Sequence, residues 1–215
     1  MTDIAARDIN NKGSKKLIGK FPSLLMGIII KWESKLERDF LYLLEFDPEV
    51  LIYREQPMRI LYNFEGKIRR YTPDFLVVRK HKKQIIEVKP KDKVFRKNNA
   101  RRFHIISIIC QRMGYEFKVI TDEMIRVQPR LKNIKLLWKY ARTPIYPQHQ
   151  IYCREIFSAR REVRLGEVIR AFETKGIGRQ VVFSMIYHRV LYVNPMLSIN
   201  SESIIQFIGE TISVG

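Results

Sequence analysis

The residues best able to do chemistry lie in two short runs, Tyr71-Thr72-Pro73-Asp74-Phe75-Leu76-Val77-Val78 and Gln84-Ile85-Ile86-Glu87-Val88-Lys89. Both read as extended chain, in which alternate side chains share a face. Asp74, Leu76 and Val78 then point one way, and Ile85, Glu87 and Lys89 share a face of the next strand. Each set mixes charge with apolar residues on a side that has to pack. A carboxylate there needs a cation or strong hydrogen bonds as partner. Two carboxylates on adjacent strands form a hard-oxygen site suited to Mg²⁺ or Mn²⁺, with the Lys89 ammonium in reach. Phosphodiester hydrolysis uses such parts: a metal to polarise the phosphoryl group and acidify its water, and an ammonium to meet charge building on the phosphate.

Pro73-Asp74 followed by Glu87-Val88-Lys89 is the PD-(D/E)xK nuclease signature, a short pattern that a solvated surface hairpin also satisfies. A third carboxylate is expected from a preceding helix. Glu37 is in register with Phe40, Leu41 and Leu44 and faces inward on that spacing. Ser34-x-x-Glu37 equally fits a capping box, in which the glutamate only closes the helix N-terminus. Glu33 is a second candidate ligand. On the residues alone, ligand and cap stand level.

The elements that must hold these groups follow from local signals. Residues 33–46 read as a helix with an apolar stripe at Phe40, Leu41, Leu43 and Leu44, stopped by Asp47-Pro48. Strands are expected at 50–53, 58–64, 68–78 and 84–89, with Glu65-Gly66 as a hairpin tip and Pro90 closing the last. Residues 95–113 suit a basic helix ended by Gly114, and 115–120 another strand. Helix, strands, helix, strand describes an α/β layered domain. A second unit begins between Thr121 and Pro129. In it, helices at 163–174 and 179–187 flank a turn at Gly176 and Gly178, with a strand at 189–193, which outlines a winged helix-turn-helix. The expected domains are a basic arm, 1–30, an endonuclease domain, 31–125, and a winged-helix-like domain, 126–215.

Composition narrows the partner. The 215 residues include 40 Lys plus Arg against 22 Asp plus Glu, a formal charge of +18. The excess runs through all three regions, so its source is no detachable tail, and it favours a polyanion such as nucleic acid. No strongly amphipathic basic helix argues for a membrane surface. The run 21–30 is too short to span a bilayer and lacks a small-residue cleavage site, so it reads as a core-packing arm behind a flexible stretch, 1–20. Cys110 and Cys153 make neither a disulfide framework nor a metal knuckle. They read as buried thiols in a reducing, cytoplasmic setting. His104, Trp32 and Trp138 read as packing residues. Lys91, Lys93, Arg96, Lys97, Arg101 and Arg102 are candidate phosphate contacts along the DNA path.

The blocks Glu33 to Pro48, Glu55-Gln56-Pro57, Tyr71 to Phe75 and Glu87-Val88-Lys89-Pro90 resemble the TnsA endonucleases, subunits of heteromeric cut-and-paste transposases, over roughly residues 20–120. The resemblance implies a restriction-endonuclease-like fold and assigns Glu37, Asp74, Glu87 and Lys89 to the active-site positions, with Glu37, Asp74 and Glu87 as ligands of Mg²⁺ or Mn²⁺. Position 87 can be Gln in the family. It further implies cutting of the 5′ strands at transposon ends in the bacterial nucleoid. A TnsB-type transposase would act on the 3′ strands, and a TnsC-type ATPase would be met through the C-terminal region. Against this stand a restriction, repair or junction-resolving nuclease of the same fold and a non-catalytic DNA-binding adaptor. The helix pair near the C-terminus favours DNA by its arginines, Arg160, Arg161, Arg164 and Arg170, and the ATPase by resemblance.

Overall fold

In the computed structural model, which describes residues 18–209, the run 21–30 folds back on itself. β1 (Gly19–Pro22) pairs antiparallel with β2 (Ile29–Trp32). Phe21 and Ile30, opposite each other, are buried, whereas Leu25, Ile28 and Ile29 are exposed, so the arm packs by one face only. A Cβ at Gly19 would lie 2.0 Å from the Trp32 ring, which is why the smallest residue sits there. Of the stretch expected to be flexible, residues 1–17 lie outside the described residues, and Gly19 and Lys20 belong to β1.

Helix α1 (Lys35–Phe46) begins at Ser34, whose side chain accepts the Glu37 N–H, and buries Leu36, Phe40, Leu41 and Leu44. Five strands follow: β3 (Val50–Glu55), β4 (Ile60–Phe64), β5 (Lys67–Tyr71), β6 (Phe75–Arg79) and β7 (Lys82–Lys89). The short α2 (Lys91–Val94), α3 (Lys97–Arg112), β8 (Glu116–Thr121) and the short α4 (Asp122–Ile125) complete the unit. The sheet order is β3-β6-β7-β8, with β8 parallel to β7 and the other pairs antiparallel.

The single strand expected over 68–78 is two. β5 pairs with β4 in a ribbon of its own, and β6 belongs to the four-stranded sheet. Thr72-Pro73-Asp74 is the break, because Pro73 has no N–H to give a ladder. The ribbon's inner face, with Ile60, Tyr62 and Tyr71, packs with Ile85 against Ile106 and Cys110 of α3. Burying an isoleucine such as Ile106 is worth about 1.5–3 kcal/mol. His104, on the same helix, is exposed and not a packing residue. The helix expected over 95–113 is α3, and the short α2 precedes it in a stretch where no helix is expected.

The described residues fall into two compact units that divide between Arg126 and Val127. The second contains α5 (Arg130–Trp138), α6 (Pro147–Ile156), β9 (Glu162–Arg164), α7 (Leu165–Glu173), α8 (Arg179–Tyr187), β10 (Leu191–Tyr192) and β11 (Ile204–Phe207). Its antiparallel sheet has the order β10-β11-β9. Val163 is strand, not the helix start expected there, and Gly176 takes the positive φ of 74° that ends α7. Among the described residues no helix is long and apolar enough to cross a membrane.

Candidate active site

Register builds the site. β6 pairs with β7 from Phe75↔Ile86, so one further step brings Asp74 level with Glu87. β3 pairs with β6 from Glu55↔Phe75, and one step further the Gln56 N–H donates to the Asp74 carbonyl at 2.8 Å. Gln56, Asp74 and Glu87 thus form a row across the ends of three adjacent strands. Asp74 sits just outside β6, released from the ladder by Pro73, and its Oδ2 accepts the Val88 N–H at 2.7 Å.

Glu87 is only 4% exposed and is held on several sides. Tyr71 donates its hydroxyl to Oε2 at 2.6 Å, and Lys89 Nζ stands 3.0 Å from Oε1. An Arg102 terminal nitrogen approaches Oε1 at 4.0 Å, its guanidinium lying over the Tyr71 and Phe103 rings. Burial first, and the Glu87 charge next, raise the pKa of the Tyr71 hydroxyl well above its ordinary value, so it stays a donor. Burial is also the chief reason the Asp74 carboxyl is raised well above the usual range, with Glu87 and then Glu37 adding repulsion. The Val88 N–H and Lys89 pull the other way and do not cancel it. Negative charge crowded into a buried spot is what a hard divalent cation relieves, and oxygen donors fit one.

Glu37 bears on Asp74 electrostatically, yet its carboxylate also folds back on the start of its own helix, without the N-cap N–H bond of a full capping box. Oε1 accepts from the Ser34 hydroxyl at 2.8 Å and Oε2 from the Glu33 N–H at 2.8 Å. Among the described residues no group of three or more His, Cys, Asp or Glu is arranged to hold a metal ion. Of the expected trio, Asp74 and Glu87 share the row, and Glu37 acts on Asp74 by charge while its carboxylate also bonds the helix start. Glu33 accepts from Gln56 Nε2 at 2.9 Å.

Three residues carry more of the site than sequence reasoning allowed. Gln56 has a φ of 42°, is 7% exposed and has no hydrogen-bond partner for its buried Oε1 among the described residues. Strain together with an orphan acceptor beside Asp74 is costly, and its setting between Glu55 and Pro57 was the only sequence signal. Tyr71 and Arg102 enter through the ribbon–helix packing, which no local pattern reveals. A buried carboxylate outside the row, Asp39, pairs with Arg126 at 2.9 Å. The six cations expected to meet DNA divide differently. Lys91 pairs with Glu123, Arg96 with Asp92 and Arg101 with Glu65, all at the exposed surface. Lys93 is exposed, Arg102 is drawn to Glu87, and Lys97 is the first residue of α3. Exposed pairs of this kind are weak and give way to phosphate.

Residues 47–122 match the family model described as TnsA-like endonuclease N terminal. Over this segment the chain is TnsA-like. No curated protein matches the chain. The TnsA-like segment covers less than half of the 215 residues, but it contains the whole row Gln56, Asp74 and Glu87 together with Tyr71, Lys89 and Arg102. It begins after α1, so Glu33 and Glu37 lie outside it. Within the TnsA-like domain, Cys110 is buried and free, and burial pushes its thiol up to about 11.

Proposed function

We propose that this protein is a Mg²⁺- or Mn²⁺-dependent DNA endonuclease with a PD-(D/E)xK core. It would cut the 5′ strands at transposon ends while a TnsB-type transposase acts on the 3′ strands. The observation that carries the reading is the Asp74–Glu87 row, with Lys89 on the same carboxylate, inside the TnsA-like segment.

Asp74 and Glu87 would hold the cation, with the phosphate and water completing its shell, since Mg²⁺ commonly takes only one or two carboxylates. When bound, the cation would polarise the phosphoryl oxygen and acidify its water. The chain's own residues do the rest. The Val88 N–H fixes the Asp74 carboxylate, and the Tyr71 hydroxyl fixes that of Glu87. Lys89, once Glu87 is engaged elsewhere, can turn its ammonium to the phosphate and meet charge as it builds. Arg102, lying over the Tyr71 and Phe103 rings beside Glu87, is the second cation for that charge. Glu37 becomes a ligand only by exchanging its cap bonds for the metal.

A non-catalytic adaptor is the second reading, favoured by the capped state of Glu37 and the lack of a three-ligand group among the described residues. For the second unit, the order helix, strand, helix, helix, strand, strand from α6 to β11 supports a winged-helix fold. A TnsC-type ATPase is the partner proposed for it.

The test is strand-specific cleavage of transposon-end duplexes by the full protein together with its transposase, with Mg²⁺ or Mn²⁺ supplied. Asp74→Ala is expected to abolish 5′-strand cuts and leave 3′-strand joining intact. Full 5′ cleavage by that variant would sink the site; no metal-dependent cleavage by the wild type would leave the adaptor.

A further inference from the structure

The β4–β5 ribbon stands outside the four-stranded sheet, and its outer face has no role in the site. Antiparallel register pairs Leu61 with Arg70 and Asn63 with Ile68, so these four side chains share one face. All four are exposed, Leu61 at 60% and Ile68 at 69%. Two bare aliphatics beside a guanidinium and an amide are a poor solubility surface and a good match to a nucleic-acid groove. Lys67 and Arg69 alternate with these along β5, on the side of Phe64 and Tyr62, yet both are exposed, and among the described residues no ion pair engages Lys67, Arg69 or Arg70. The ribbon's one acid, Glu65 at the tip, is already paired with Arg101.

We propose that the β4–β5 ribbon is a DNA-reading element that enters the major groove of duplex DNA. The proposal rests on DNA being the protein's substrate, but not on the identity of the nuclease site. Charge complementarity and position argue for duplex DNA. The major groove admits a two-stranded antiparallel ribbon. Lys67 and Arg69 meet phosphates at its rim, Arg70 and Asn63 hydrogen-bond base edges, and Leu61 and Ile68 contact thymine methyls. β5 ends at Tyr71, and Asp74 follows three residues on, so a duplex gripped by the ribbon is led to the Asp74–Glu87 row. The ribbon would thus set where, relative to the sequence read, the cut falls.

The experiment is equilibrium binding of the full protein to a labelled mixed-sequence duplex in EDTA, over a range of salt concentrations, so that cleavage plays no part. The triple variant Lys67→Ala/Arg69→Ala/Arg70→Ala should lower affinity by at least about tenfold and reduce the log–log salt slope by about 2–3. The control Lys80→Ala/Lys82→Ala/Lys83→Ala removes equal charge at the other end of β6 and β7 and should change the slope by less than about 1. Equal losses in both variants would reduce the effect to net charge and overturn the ribbon, as would wild-type binding by the first. Leu61→Ser/Ile68→Ser should weaken duplex binding about fivefold and leave heparin binding unchanged; parallel loss on both, or none on either, overturns groove entry. Because binding is read in EDTA and cleavage only with Mg²⁺ or Mn²⁺ supplied, failure of the nuclease reading and failure of the ribbon register separately.

Discussion

Asp74 and Glu87 face each other with too little positive charge to settle both, and this imbalance has a thermodynamic signature. The Asp74 carboxyl is raised well above its ordinary 3.8 by burial and then by Glu87 and Glu37. A group raised in the fold stabilises it most when protonated. That contribution is complete below the ordinary value and is lost as pH climbs through the raised one. Metal-free protein should therefore lose stability as pH rises above about 4. Asp74→Asn keeps an acceptor for the Val88 N–H but cannot ionise. Its metal-free Tm should exceed that of the wild type at neutral pH, with a flatter pH profile. Mn²⁺ should raise the Tm of the wild type and leave that of Asp74→Asn unmoved, because only a ligand bound by the native state stabilises it. Melting curves in EDTA and in Mn²⁺ across that pH range check each part; an Asn variant less stable at neutral pH would show that Asp74 is satisfied without metal. Tyr71→Phe removes the hydroxyl that Glu87 accepts at 2.6 Å and should cost about 1–3 kcal/mol, read from urea unfolding.

At the scale of elements, the start of α1 holds two roles in one residue. Glu37 bonds the Ser34 hydroxyl at the helix start, and it also adds to the negative field on Asp74. Glu37→Gln separates the roles, since glutamine serves at that capping position but is a poor metal ligand. Its Tm should stay near the wild-type value while 5′-strand cleavage falls by about a hundredfold or more. Ser34→Ala should do the reverse, costing about 1 kcal/mol of stability with cleavage largely kept. Unchanged cleavage by Glu37→Gln would leave Glu37 as a cap alone. The sequence displays both roles in Ser34-x-x-Glu37 and cannot choose, because the choice depends on what stands opposite the helix end. The same boundary governs the rest. Asp74, Glu87 and Lys89 are legible from period-two alternation. That Asp74 leaves the strand follows from Pro73, visible but underweighted when 68–78 is read as one element. Gln56, Tyr71 and Arg102 join the site through register between β3 and β6 and through packing of a ribbon on α3, which are relations between distant segments. In the second unit, α5 and α6 carry cations and aromatics across their apolar stripes, and the helical period is blurred there. His104 shows the opposite failure: an apolar stretch of helix still has an outer face.

At the scale of the whole molecule, a charge of +18 must be divided between surfaces that meet DNA and surfaces that do not. A helix-turn-helix reads DNA through residues near the start of its second helix, which have to be free to enter the groove. In the second unit that helix would be α8, and Val181, Val182, Ser184, Met185, Ile186 and Tyr187 are all buried in it. Phe183 stacks on Tyr140 with centroids 5.1 Å apart, and Ser184 donates to the Thr143 carbonyl at 2.8 Å, so the segment after α5 covers α8. Only Arg179 and Gln180 of α8 remain exposed. Two of the arginines that favoured DNA on charge form exposed pairs, Arg160 with Glu167 and Arg164 with Glu202, as yielding as those of the first unit. With only the first two residues of α8 free where a reading helix presents a longer run, a protein partner is the use we propose for this unit, with DNA left to the TnsA-like domain. Arg179→Ala/Gln180→Ala should then alter duplex affinity by less than about twofold and leave the salt slope unchanged, since no phosphate contact is lost. Anisotropy titrations of the full protein over the same salt range measure both. A loss of affinity in this double variant as large as that from removing Lys67, Arg69 and Arg70 would put α8 on the DNA, and the division of labour between the two units would fail.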